Sequence, residues 1–81
     1  MASKQVRPLE FEVSPNPVVN KIRVICQEAI VENQILDLYG KTLLKSQQKS
    51  LDLESLQAGV YVLSVRTRDQ IGYKRFVKRS N

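Results

Sequence analysis

The stretch Leu51-Asp52-Leu53-Glu54-Ser55-Leu56-Gln57-Ala58-Gly59-Val60-Tyr61-Val62-Leu63-Ser64-Val65, followed after a short turn by Gly72-Tyr73-Lys74-Arg75-Phe76-Val77-Lys78-Arg79, decides the fold. It reads as a short strand, a tight turn, a long apolar strand, a hairpin and a basic last strand. Ser50 to Leu53 is the short strand, and Glu54-Ser55-Leu56 turns so that Leu56 tucks under the sheets. Gly59 lets the backbone bend where the long strand begins. Val60 to Val65 is apolar at both parities except at Ser64, the pattern of a central strand covered on both faces. Arg68-Asp69-Gln70 forms the hairpin tip. In the strand from Gly72 to Arg79, Phe76 shares a face with Lys74 and Lys78, and Val77 shares one with Tyr73 and Arg75. This mixed parity suits an edge strand half packed by Phe76 and Val77, with basic stems along the sheet and their charges in water. Lysine at an edge also discourages unwanted strand addition.

The same rhythm runs upstream: β-branched and aromatic runs recur about every ten residues between turn signals, while helical periodicity is hard to find. Leu9 to Val13 alternates Leu9, Phe11 and Val13 against Glu10 and Glu12, a half-buried strand. Pro15-Asn16-Pro17 stops it, because neither proline has an amide to donate to a ladder. Asn20 to Cys26 places Ile22, Val24 and Cys26 on one face and Lys21 and Arg23 on the other. Gln27 and Glu28 begin a connection, and Gln34 to Leu38 is the third strand. Asp37-Leu38-Tyr39-Gly40 has Asp first and Gly fourth, as a type I turn prefers, and Thr42 to Ser46 returns to complete a hairpin. The pattern predicts an all-β sandwich of about seven antiparallel strands.

Eighty-one residues make one domain with a thin core. The single cysteine, Cys26, permits no intramolecular disulfide, and on the apolar face of its strand it reads as an inert core residue. Met1 to Leu9 contains no apolar segment of the kind a signal peptide needs. Residues 1 to 8 are expected to be a flexible linker or an expression-derived N-terminus, and residues 9 to 81 the domain. The net charge of +5 is unevenly placed. Residues 1 to 65 carry seven basic and seven acidic side chains, whereas residues 66 to 81 carry Arg66, Arg68, Lys74, Arg75, Lys78 and Arg79 against Asp69 alone. The entire excess lies in the last hairpin, a field that steers acidic partners.

Catalysis is poorly supported. Without histidine, neither a Ser-His-Asp nor a Cys-His arrangement can form, and metal sites lose their commonest ligand. Three glycines supply no phosphate-binding loop. Glu10 and Glu12 on one strand face read as a solvated surface. No enzyme activity, cofactor or metal is expected.

Four motifs in order carry a resemblance: Phe11 before Pro15-Asn16-Pro17; Asp37, Gly40 and Lys41; Asp52 and Leu56 before Ala58-Gly59-Val60-Tyr61; and Lys74, Phe76, Val77 and Lys78. Together the chain resembles the type A C-terminal sorting domain of type IX secretion system substrates, over roughly Phe11 to Lys78. Gln57 stands where many members have proline before Ala-Gly, and Asp69-Gln70 where many have glycine at the last hairpin tip; both departures lie in turns. The resemblance implies an Ig-like β-sandwich that directs a passenger across the outer membrane, by way of the periplasm, to the surface or medium. It implies as partners the type IX translocon or shuttle and sortase-like proteins, with later cleavage and attachment of the parent protein to lipopolysaccharide.

Within that frame Lys74, Arg75, Lys78 and Arg79 are the candidate translocon contacts, with Phe76 and Val77 fixing the strand that presents them. Strand addition at the open edge would give affinity through main-chain bonds, and such an edge also leaves room for a weak homodimer. Pro15, Asn16 and Pro17 read first as a strand stop, and second as a recognition element. Asp37, Gly40 and Lys41 read as a hairpin turn, although exposed Lys41 can also be read by a partner. Leu56 and Gly59 read as packing and bending positions, and Tyr61 as a buried ring whose hydroxyl reaches an edge. Two other functions fit the composition: an Ig-like adhesion or carbohydrate-binding module, and a basic nucleic-acid-binding β domain in which Tyr73 and Phe76 stack bases. The specific motifs favour sorting over both, and no nucleic-acid partner is expected.

Overall fold

Period-two alternation with one apolar face per strand builds two layers of sheet around a single core. The computed structural model describes residues 9–15 and 17–79, and these contain strands and turns but no helix. The strands are β1 (Glu12–Ser14), β2 (Lys21–Ile25), β3 (Ile30–Leu36), β4 (Thr42–Ser46), β5 (Ser50–Asp52), β6 (Gly59–Thr67) and β7 (Ile71–Lys78). One sheet has the order β1-β2-β5 and the other β4-β3-β6-β7, with every neighbouring pair antiparallel. Strands one, two and five facing strands three, six and seven, with four at the outer edge, is the arrangement of an Ig-like sandwich.

The core forms where the inward residues of the two sheets meet. Ile22 and Val24 come from β2, Leu51 from β5, Ile35 from β3, Leu63 and Val65 from β6, and Phe76 from β7. Cys26 is buried among them with its thiol free, as its strand parity indicates. The Asp37–Gly40 hairpin turn forms as its residues dictate. The Gly40 amide donates to the Asp37 carbonyl at 3.1 Å, and the Asp37 carboxylate accepts from the amides of Tyr39 and Lys41. Gly40 sits at φ +89°, a conformation that costs glycine least. At the last tip, the Thr67 amide donates to the Gln70 carbonyl at 2.8 Å, which leaves Arg68 and Asp69 exposed.

Three expectations need correction. β3 begins at Ile30 rather than Gln34 and ends at Leu36. Its partner β6 is long enough to pair back to Ile30 through an irregularity between Ile30 and Glu32, so residues read as a connection join the sheet. β1 is shorter than the alternation of Leu9, Phe11 and Val13 suggests; Leu9 and Phe11 are buried but lie before the paired residues. Finally, β6 is closed on both sides only from Leu63 to Val65. Val60 is exposed and Val62 half-buried, so the outer face is open toward the start of β6, while Ser64 on the same face is buried.

Candidate functional site

The basic β7 lies at the edge of the four-stranded sheet, and alternation divides its side chains sharply. Gly72, Lys74, Phe76 and Lys78 lie opposite Val65, Leu63, Tyr61 and Gly59 of β6. Leu63, Val65 and Phe76 belong to the core and Tyr61 packs against it, so these positions point inward. Ile71, Tyr73, Arg75 and Val77 point outward and are exposed.

Phe76 is buried as expected and meets Tyr61 at 5.9 Å between ring centroids, tilted by 30°. The expectation for the other residues changes. Val77 does not pack but is exposed, and the Lys74 charge does not simply stand in water. The Lys74 ammonium donates to the Phe11 carbonyl at 2.9 Å, lies 5.4 Å from the Phe11 ring centroid, and reaches Glu12 at 3.5 Å. It ties β7 to the N-terminal segment across the open side of the sandwich. Lys78 is 7% exposed, its stem covered on the inner face. The even spacing of Lys74, Phe76 and Lys78 contained this outcome, because a phenylalanine that packs inward takes its two neighbours of the same parity with it. Arg75 and Arg79 are the exposed cations of the strand.

Beyond the side chains, the edge itself is partly closed. The Val18 amide donates to the Val77 carbonyl at 2.9 Å, and the Arg79 amide donates to the Val18 carbonyl at 2.7 Å. This short parallel bridge clips the chain following Pro17 onto the end of β7. Pro15 and Pro17 are exposed and lead into fully buried Val18; Asn16, the centre of that motif, lies outside the described residues. Peptide groups of one residue face one side of a strand. Since those of Val77 and Arg79 face the edge, so do those of Ile71, Tyr73 and Arg75, beyond the reach of Val18.

Two further residues set the packing around these strands and were not singled out from sequence. Gly72 lies under the N-terminal segment, where a Cβ would sit 2.8 Å from Phe11 Cε1, 3.1 Å from Leu9 Cβ and 3.2 Å from the Leu9 carbonyl oxygen. Asn33, fully buried on β3, donates through Nδ2 to the Gln48 carbonyl at 2.6 Å and so anchors the link between β4 and β5. Neither leaves a sequence signal beyond a polar residue or glycine inside a strand.

The remaining motif residues act in turns. The Tyr61 hydroxyl donates to the Gln57 carbonyl at 2.5 Å, the arrangement of a tyrosine corner in which a ring at the start of a strand holds the preceding turn. The Leu56 amide donates to the Leu53 carbonyl at 3.0 Å, which places half-buried Leu56 against the core. Gly59 opens β6, and a Cβ built on it would meet the Tyr61 ring at 3.8 Å, an ordinary contact, so close approach does not account for this glycine. Lys41 is exposed beyond the turn.

A groove of about 650 Å³ opens between the N-terminal segment and the end of β2. Glu10, Glu12 and Glu28 line it beside Phe11 and Cys26. Among the described residues no three histidine, cysteine or acidic side chains come together in a metal-holding group.

Comparison with known proteins places these features in context. A family model described as the secretion system C-terminal sorting domain matches residues 12–79. Among solved structures the chain is similar to PorZ of Porphyromonas gingivalis, an essential bacterial surface component of the type-IX secretion system. The two are 18% identical, with a TM-score of 0.66 over 85% of this chain and 11% of that one. At that identity the likeness concerns the sandwich fold, and the chain spans about a tenth of PorZ. No curated protein matches.

Proposed function

The chain belongs to the secretion system C-terminal sorting domains, signals for type IX secretion, and from that premise we propose that it carries a passenger joined to its N-terminal side through the periplasm and across the outer membrane. Such domains interact with the secretion machinery, and their substrates reach the cell surface or outer membrane. The translocon or shuttle engages the last hairpin; a sortase-like protein then removes the domain, and the parent protein is joined to lipopolysaccharide. The domain performs no catalysis itself.

The single observation that supports β7 as the element read is its position. It is an edge strand that displays Arg75, Val77 and Arg79 while Lys74, Phe76 and Lys78 turn inward. On this reading the six residues divide the work: the inward three set the strand against the core, and the outward three meet the machinery. Pro15 and Pro17 serve by delivering Val18 to the strand's edge, while Asp37, Gly40, Leu56, Gly59 and Tyr61 hold the turns. The residues before position 9 join domain to passenger.

The test fuses residues 9 to 81 to a signal-peptide-bearing fluorescent protein in a bacterium with a type IX system, beside a copy that ends at Gly72. Fluorescence at the surface or in the medium that depends on the last strand is the expected result. Periplasmic retention of both fusions would refute sorting and favour an adhesion module.

A further inference from the structure

The two outer faces of the sandwich are unlike. On the three-stranded sheet, β2 turns Lys21, Arg23 and Ile25 outward, a mainly charged face. On the four-stranded sheet the pairing places Leu36, Val62 and Arg75 in one row across β3, β6 and β7, with Val60 opposite Val77 in the adjacent row. Tyr73 lies opposite Ser64 and Ile71 opposite Arg66 further along. Val60 is 38% exposed, Val77 43%, Ile71 47% and Tyr73 62%. The β3–β4 half of this face carries polar side chains bonded to one another: Thr42 Oγ1 donates to Gln34 Oε1, and Gln34 Nε2 to Glu32 Oε1, which lies 4.0 Å from Arg66. Val31 and Leu36 of β3 and half-buried Leu43 of β4 add apolar surface, but the exposed apolar side chains placed opposite one another by strand pairing are Val60 and Val77 of β6 and β7.

Outward positions of a sandwich are ordinarily polar, and a run apolar at both parities belongs to a strand covered on both faces. β6 has that run, yet its outer face is open at Val60. A contiguous exposed apolar patch with a charged border marks an interaction surface.

From this we propose that the outer face of β6 and β7, centred on Val60, Val62, Tyr73, Arg75 and Val77, docks against an apolar protein surface bordered by acidic side chains. The inference rests on the sorting reading and identifies the face and the partner's chemistry. Charge selects the occupant. Arg75 stands within the patch and has no ion pair among the described residues, and Arg68 and Arg79 are exposed at the two ends of β7 and its turn. A second copy related by a two-fold axis through the patch would bring Arg75 against Arg75, a like-charge contact. Arginine forks match carboxylates in paired geometry.

The experiment expresses the full chain as a C-terminal fusion to the signal-peptide-bearing fluorescent protein, unaltered or as Val60→Thr/Val77→Thr, Arg75→Glu, or the opposite-face control Arg23→Glu/Ile25→Thr. Thermal unfolding of each purified chain checks folding; Arg75→Glu, at an exposed and unpaired position, decides the matter if the threonine pair fails to fold. Surface fluorescence is expected to fall about tenfold for the β6–β7 variants and to change less than about twofold for the control, the pattern of a central contact cluster. Export of the β6–β7 variants at the unaltered level, beside normal export of the parent fusion, overturns this face while leaving sorting intact. Retention of the unaltered fusion overturns both readings. Co-sedimentation of the unaltered chain with mixed phosphatidylcholine and phosphatidylglycerol vesicles, abolished by Arg75→Glu, overturns the protein occupant in favour of a lipid one.

Discussion

Replacing Lys74 with methionine separates the internal role of this residue from the contact role that its sequence suggests. The methionine stem occupies the same path, so the loss is confined to the ammonium. Three interactions go. A hydrogen bond from a charged donor to a carbonyl contributes about 1.5–3 kcal/mol, and the Lys74 side chain is 37% exposed, which argues for the lower end. The cation over the Phe11 ring adds about 0.5 kcal/mol at such a partly exposed site. The contact with Glu12 spans 3.5 Å, but that carboxylate side chain is 77% exposed, so it contributes about 0–0.5 kcal/mol. The sum is about 2 kcal/mol. For a domain of this size that lowers Tm by roughly 10 °C. Circular dichroism melts of the unaltered chain, Lys74→Met and Glu12→Gln measure it. The Glu12 variant should melt within about 3 °C of the parent, since its ion pair is the least of the three terms. A Lys74→Met chain that melts with the parent but is no longer exported would refute the reasoning and restore Lys74 as a partner contact.

Gly72→Ala should destabilise by about 1–3 kcal/mol, because its Cβ would overlap Phe11 and the Leu9 main chain; denaturant unfolding reads this, and a second change of Phe11 to leucine should recover part of the loss. Tyr61→Phe keeps the ring against Phe76 and removes the bond to Gln57, at a cost of about 1 kcal/mol in the same assay. Gly40→Ala meets no atom within 4 Å, so its penalty of about 1–2 kcal/mol comes only from the positive φ; an unchanged midpoint would show that the turn can relax.

Alternation made much of this fold legible. Ile22, Val24 and Cys26 are buried on the face their parity names, and the turns at Asp37 to Gly40 and Arg68 to Gln70 fall where their residues place them. β3 was less legible because Glu32 and Asn33 break the apolar pattern. Asn33 is nevertheless fully buried, its amide bonded to Gln48. Propensity does not reveal a polar residue whose bonding partner lies fifteen positions away. The close approach at Gly72 was hidden for the same reason, since the atoms it accommodates belong to Leu9 and Phe11 at the far end of the chain. The six cations of the last hairpin were visible as a cluster, but their directions depended on which of Phe76 and Val77 faced the core.

Once Phe76 takes the inner face, the division of cations follows by parity, and it also falls by residue type. Lysines 74 and 78 turn inward, whereas arginines 66, 68, 75 and 79 are exposed. A compact ammonium on a flexible stem can follow an apolar wall and still reach a single carbonyl, as Lys74 reaches that of Phe11. A planar guanidinium is suited to paired bonds with a carboxylate that approaches from outside. The pairing predicts that exchange should be asymmetric. Arg75→Lys keeps the charge and loses the fork, so it should weaken export while leaving Tm unchanged. Lys74→Arg keeps the charge but brings a bulkier, rigid head to the Phe11 carbonyl, so it should lower Tm, with export following stability alone. Equal melting temperatures for the two variants would remove the basis for assigning the lysines to the fold and the arginines to the partner.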